Sequence, residues 1–174
     1  MKRMVVFSCA LMIVLNMLGA RTLGYGAGWY GQSVEESQGR VSSGTELSFV
    51  YKPWYLPFGN PSLTAKVAVG TDQNGDWVVP YLECGINVDI LRTIKHPFNS
   101  ISQNVIAYTP MISMAYQYDP MRHMTLVSFS ASPFKLSAKD FWYEFLVPFV
   151  VYDPADMTMD SWGINLIRYT FLFK

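Results

Sequence analysis

Large apolar side chains alternate with small or polar ones along most of this chain, and that period of two constrains its fold more than any other feature. Successive side chains of a strand point to opposite faces, so the pattern builds sheet with one oily and one polar side. In residues 104–118 the even positions Ile106, Tyr108, Ile112, Met114, Tyr116 and Tyr118 are large, while the odd row runs Ala107, Thr109, Met111, Ser113, Ala115 and Gln117, mostly small or polar. Val127, Phe129 and Ala131 alternate with Ser128, Ser130 and Ser132. Leu82, Cys84, Ile86 and Val88 alternate with Tyr81, Glu83, Gly85, Asn87 and Asp89. In 141–152 the odd row from Phe141 through Phe145 to Val147, Phe149 and Val151 reads as the apolar face, with Glu144 on the other. The last residues repeat the theme, with Ile167, Tyr169, Phe171 and Phe173 set against Arg168 and Thr170. No stretch after the first twenty residues shows a convincing helical period.

Eight strands are predicted, at 24–32, 45–52, 62–71, 77–91, 104–118, 122–135, 141–152 and 161–173. The longest run roughly 12 to 15 residues, against about 5 to 6 for a globular strand. An even count leaves both chain ends on one side. Asn74-Gly75 suits a two-residue turn that needs positive φ, and its register sets Lys66 against Glu83, Val67 against Leu82 and Leu63 against Ile86. A two-residue loop at Pro120-Met121 would bring Ile112 beside Phe129, Met114 beside Val127 and Ser113 beside Ser128. A turn centred on Asp156 would set Glu144 opposite Arg168. Pairing agrees with patterning throughout, because polar rows meet polar rows. Pro80, Pro110, Pro133 and Pro148 cannot donate to a ladder and are expected at bulges or strand ends.

Composition decides which face meets water. Aromatic residues make up 16 % of the chain and charged residues only 15 %, against about 25 % charged in ordinary soluble domains. Thirteen basic and 13 acidic residues balance, which argues against nucleic acid as a partner, since phosphates call for a basic surface. Lys2 and Arg3, the apolar run Met4 to Leu18 and the small pair Gly19-Ala20 read as a cleavable signal peptide over 1–20. Residues 21–174 then form one domain, whose sole cysteine is Cys84, so an internal disulfide cannot hold it. A β-sandwich would bury the apolar rows against each other. Their length, and the small side chains of the polar rows, suit a narrow closed barrel better.

In its signal-like start, its eight alternating strands and its final strand with aromatics at alternate positions to Phe173, the chain resembles the small outer-membrane β-barrels of bacteria, of the W, X and A transmembrane-domain type. The resemblance implies an all-β, eight-stranded antiparallel up-and-down transmembrane barrel in the outer membrane, with lipid outside and the barrel assembly machinery engaging the last strand. Tyr169, Phe171 and Phe173 would then face lipid, while two ion pairs, Lys66 with Glu83 and Glu144 with Arg168, would lie in the lumen. An eight-stranded barrel is just filled by its own side chains, so a wide pore is not expected. With the N-terminus periplasmic, the outward half of the lumen would be lined by Val79, Tyr81, Met124, Leu126, Val150, Tyr152, Trp162 and Ile164. That set forms a candidate pocket for small hydrophobic molecules, similar to the W-type proteins. The alternatives are a purely structural or surface-interaction barrel, and an exported soluble barrel of the lipocalin kind.

Enzymatic chemistry finds little support. His123 and Ser128 fall on opposite faces of one strand, and His96 sits far along the chain from the serine rows. No metal-ligand spacing is present, the glycines of residues 24–31 lack the strand-loop-helix setting of a phosphate loop, and no cofactor is expected.

Overall fold

The computed structural model describes residues 22–32, 43–52, 61–71, 75–90, 93–96, 106–138 and 140–173. The signal-like segment 1–20, Asn74 of the first turn and Lys174 lie outside the described residues. Twelve strand segments follow one another: β1 (Thr22–Gln32), β2 (Ser43–Lys52), β3 (Pro61–Thr71), β4 (Trp77–Val78), β5 (Leu82–Asp89), β6 (Thr93–His96), β7 (Ile106–Tyr108), β8 (Met111–Asp119), β9 (Met124–Ser132), β10 (Phe134–Ser137), β11 (Phe141–Tyr152) and β12 (Met159–Phe173).

They form eight staves. β4, β5 and β6 are pieces of one stave, β7 and β8 of another, and β9 and β10 of a third, each antiparallel to its neighbours. The order β12-β1-β2-β3-β5-β8-β9-β11 is closed by pairing of β11 with β12, so the sheet is an up-and-down antiparallel barrel without a free edge. Closure removes the unpaired N–H and C=O rows that an open sheet would leave at its borders. Leu23 pairs with Phe173, so the two ends of the barrel domain meet at one rim.

Three of the four prolines mark where staves are broken into segments. Pro80 separates β4 from β5, Pro110 separates β7 from β8, and Pro133 separates β9 from β10. Pro148 lies inside β11, where it is level with Ile164 on one side. On its other side no ladder pair joins residues 146–148 to β9 or β10.

The registers follow the turn chemistry in two of three hairpins. Lys66 meets Glu83, Val67 meets Leu82 and Leu63 meets Ile86. Glu144 meets Arg168. Gly75 has φ 86°, in the left-handed region where glycine carries no Cβ penalty. The pairing slips by one residue around Pro80, because Thr71 meets Trp77 and Gly70 meets Val78. The β8–β9 hairpin differs from its expected form. Asp119 meets Met124, so the loop holds the four residues Pro120 to His123 rather than two. Asp119 Oδ1 accepts the Met121 and Arg122 amides at 2.9 and 3.1 Å, and His123 takes φ 55°. That Asx-type closure satisfies the longer turn. Met114 therefore meets Phe129, Ile112 meets Ala131 and Ser113 meets Ser130. A shift of two residues leaves every side chain on its expected face.

Polarity is inverted relative to a water-soluble domain. Every stave carries a large apolar side chain that is exposed on the outer wall: Tyr25, Leu47, Val67, Ile86, Met114, Phe129, Leu146 and Phe171, taken in chain order. The buried residues include Glu46, Lys66, Asp89, Lys135, Glu144 and Arg168 together with a set of serines and threonines.

Candidate functional site: the charged interior and its mouth

Five staves build the centre of the lumen. Arg168 of β12 reaches inward between two carboxylates, with Nη2 2.9 Å from Glu46 Oε2 on β2 and Nη1 3.4 Å from Glu144 Oε1 on β11. These three side chains are 5, 2 and 1 % exposed. Tyr81 donates its hydroxyl to Glu46. Ser132 Oγ donates to Glu144 Oε1 at 2.5 Å, and Trp142 Nε1 to Glu144 Oε2 at 3.1 Å. Each buried carboxylate thus has a cation and neutral donors, the condition under which a charge is tolerated away from water.

Toward the rim that holds the chain ends, Lys135 Nζ lies 2.5 Å from Asp89 Oδ1 and 4.4 Å from the centre of the Trp142 ring. Lys52 Nζ stands 4.6 Å from the same ring, so two ammonium groups share one indole face system. Lys66 pairs with Glu83, whose Oε2 also accepts Ser128 Oγ at 2.9 Å. Asn87 donates to Thr64, and Thr109 and Ser137 share a hydrogen bond of 2.5 Å. Among the described residues at these levels of the lumen, the cations Lys52, Lys66, Lys135 and Arg168 stand among the anions Glu46, Glu83, Asp89 and Glu144, so opposite charges are matched there.

The other half of the lumen is packed. Tyr30 and Tyr81 meet at a ring distance of 5.5 Å, Ala68 lies against them and Phe149 packs on the group. Leu126, Val147 and Val151 have no exposed surface. Among the described residues, the cavity between Tyr81, Glu83, Gln117, Ser130, Phe149 and Asn165 measures only about 10 Å³. That is room for about one water molecule.

Of the eight positions expected to line an outward pocket, Tyr81 and Leu126 are buried inside. Met124 is half-buried at the start of β9, and Val79 is exposed beside the slip at Pro80. Val150, Tyr152, Trp162 and Ile164 are on the outer wall, a correction to the strict alternation assumed for β11 and β12. Leu146 adopts φ 49° and is exposed, and beyond it the inward row of β11 is Val147 and Val151 rather than the even positions. β12 makes the same change at Leu166 and Ile167, both exposed, so its inward row beyond them is Asn165, Gly163 and Ser161. Trp162 is 55 % exposed, and Tyr152 packs edge-on to the outward Phe129.

Sequence reasoning placed Lys66, Glu83, Glu144 and Arg168 correctly as neighbours but missed Glu46 and Lys135. Glu46 lies on the even row of β2 with Ser48, which was available as a signal. Lys135 was hidden because Pro133 switches the row: Ser132 and Lys135 are both buried while Phe134 is exposed.

At the mouth, Arg122 of the β8–β9 turn reaches past β11 to β12. Its Nε lies 2.7 Å from Asp119 Oδ2, while Nη1 and Nη2 lie 2.9 and 3.3 Å from the two oxygens of Asp160. Partial burial lowers the pKa of this guanidinium, and the hydrogen bonds to Asp160 and Asp119 outweigh it, so the pKa moves up. In the β11–β12 turn the Thr158 hydroxyl and amide donate to Asp156 at 2.6 and 3.0 Å and hold its carboxyl below the ordinary aspartate range.

The hydroxyl of Ser128 is directed to Glu83, and His123 Nδ1 lies 3.1 Å from the Tyr118 hydroxyl on the outer wall, so these two do not meet. The His96 side chain lies outside the described residues. Cys84 is a free, exposed cysteine on β5. Comparison of the chain with protein-family models, with curated proteins and with solved structures found no match.

Proposed function

We propose that this chain is a bacterial outer-membrane barrel whose role lies in its wall and rim, a structural or surface-interaction protein with a plugged lumen. The observation that carries the reading is the inverted polarity, with an apolar side chain exposed on all eight staves around a charged, paired interior. Leaving one such Leu or Phe in water rather than burying it costs about 1.5 to 3 kcal/mol, and a ring of them is sustained only by an apolar solvent. Stave lengths support it. β1 and β3 have 11 residues, β11 has 12 and β12 has 15, and a tilted membrane strand needs about 9 to 11. Aromatic side chains gather near both rims, as expected where bilayer meets water. Tyr25 stacks on Phe173 and lies tilted against Phe171 near the chain ends, and Trp77 and Trp162 are exposed toward the opposite rim. The signal-like segment 1–20 and the aromatic row of β12, through which the assembly machinery would take the chain, fit the same destination.

Uptake of small hydrophobic molecules through the lumen is the weaker reading, because only Tyr81 and Leu126 of the expected pocket are buried inside and the cavity beside Tyr81 measures about 10 Å³. A soluble lipocalin-like barrel would need a polar outer wall and an open apolar interior, whereas here the wall is apolar and the interior is charged in one half and packed shut in the other. Fractionation decides the matter. The full chain should co-sediment with outer membranes and migrate faster on a gel when the detergent sample is left unheated. Recovery as a soluble periplasmic monomer without detergent would overturn the proposal.

A further inference from the structure

Two cross-strand rows of outward side chains run side by side over four adjacent staves. One is Ile86, Met114, Phe129 and Val150, each paired directly with the next. The other is Val88, Ile112 and Ala131, continued at the level of Pro148. The residues between the rows, Ser113, Ser130 and Phe149, are themselves paired in line and turn their side chains away. Their backbone forms the floor of a trough of about 690 Å³ whose surface is almost wholly apolar. The trough is there because Ala131 and Pro148 are small where their neighbours are branched or aromatic, and because the ladder is missing between 131–133 and 146–148. Its volume falls within the roughly 300 to 1,000 Å³ of sites that hold small ligands.

The shape selects the occupant. Rows two residues apart on a strand stand about 6.6 Å from each other, and four staves span about 14 Å. A helix, about 10 to 12 Å across with its side chains, is too wide for such banks. An extended peptide would bring N–H and C=O groups that find no partner on an apolar lining. A second copy of the barrel presents a convex wall. A single hydrocarbon chain has the width, and no polar group that needs satisfying. We propose that the trough between these rows seats one acyl chain of a bilayer lipid, lying across the strands at the proline-broken seam. Phe149 closes the floor, since its ring packs inward on Tyr30, Ala68 and Tyr81, so the chain is held on the wall and does not enter the lumen.

This inference rests on the membrane reading, and the experiment separates the two. The full barrel is reconstituted in vesicles of phosphatidylethanolamine and phosphatidylglycerol containing a phosphatidylethanolamine with a diazirine in one acyl chain, irradiated, and mapped by mass spectrometry. Label should concentrate on Ile112 to Met114 and Phe129 to Ala131, severalfold above the outward segments holding Leu47 and Val67. Ala131→Trp should remove that excess, and Ala27→Trp on the outer face of β1 should leave it. Even labelling of all outward faces in the wild-type barrel, or an excess that survives Ala131→Trp, overturns the site while leaving the membrane reading intact. Failure of the barrel to enter vesicles overturns the membrane reading. In that event diazirine-bearing palmitic acid added to the barrel in water tests the trough alone, with label at the same segments supporting it and even label overturning it.

Discussion

Arg168→Met removes the cation between Glu46 and Glu144 and leaves both carboxylates where they are 2 and 1 % exposed. Breaking a buried ion pair typically costs about 3 to 5 kcal/mol, because the remaining charge has lost its compensation. Here one arginine serves two anions, and the neutral donors Tyr81, Ser132 and Trp142 stay behind to soften the loss, so the expected cost is about 4 kcal/mol. At a urea dependence of about 2 kcal/mol per molar, the unfolding midpoint of the barrel in phospholipid vesicles should fall by about 2 M. Tryptophan fluorescence and the gel shift of unheated samples read the same transition. The triple variant Arg168→Met, Glu46→Gln, Glu144→Gln discriminates mechanism from mere perturbation. Glutamine keeps an acceptor oxygen for Tyr81 and for Ser132 but carries no charge, so most of the lost stability should return. A midpoint within about 0.5 M of wild type for Arg168→Met at unchanged slope, or a triple variant as weak as the single one, would show a water-filled lumen and refute the plug.

Lys66→Met and Glu83→Met should each destabilise by about 3 kcal/mol in the same urea titration, and the exchanged pair Lys66→Glu with Glu83→Lys should recover at least half of it. Gly85→Ala places a Cβ against that of Ala115 on the paired stave. It should cost about 1 to 3 kcal/mol by overpacking, with Ala115→Gly as the compensating change. Leu146→Val puts a β-branched side chain at φ 49° and should lose about 1 kcal/mol or more, whereas Leu146→Gly relieves the left-handed strain; thermal midpoints compare the two. Arg122→Ala should change stability by under about 1 kcal/mol despite its three contacts, since the side chain is 24 % exposed, and a larger drop would mean that the turn closes the mouth.

The architecture was legible because strand alternation and turn chemistry are local properties. Residue rows such as Ile112, Met114, Tyr116 and Tyr118 against Ser113, Ala115 and Gln117 need no knowledge of the partner stave, and the Lys66–Glu83 and Glu144–Arg168 pairs follow from turn positions by counting. The β8–β9 hairpin was set two residues off because a two-residue and a four-residue loop give identical faces, so patterning could not discriminate between them. Glu46 and Lys135 escaped for a different reason. Each finds its partner across non-adjacent staves, β2 to β12 for Glu46 and β10 to β5 for Lys135, and such contacts across a lumen depend on barrel closure rather than on any hairpin.

The misplaced half of the expected pocket has one cause. Directly paired residues share a face, so a stave cannot exchange its inward and outward rows alone without setting polar side chains against apolar ones on its neighbour. Phe145 meets Phe134 on one side and Ile167 on the other, which puts Leu146 level with Pro133 and with Leu166. All three staves exchange rows at that level: Pro133 follows inward Ser132 and precedes inward Lys135, Leu146 lies between inward Glu144 and inward Val147, and Leu166 between inward Asn165 and inward Arg168. The exchange ends at β1, where pairing with β12 slips between Trp29 and Tyr30 and absorbs the extra residue. Proline at 133 tolerates the missing ladder bond, but leucine at 146 takes its left-handed φ at a cost of about 1 to 2 kcal/mol. That strain persists because relaxing it would turn Val147, Phe149 and Val151 outward, taking the Phe149 ring off Tyr30, Ala68 and Tyr81, and would bring Trp162 and Ile164 inward. The same interruption opens the wall beside Ala131 and Pro148, so the shift that removes the expected pocket from the lumen also creates the trough on the outside.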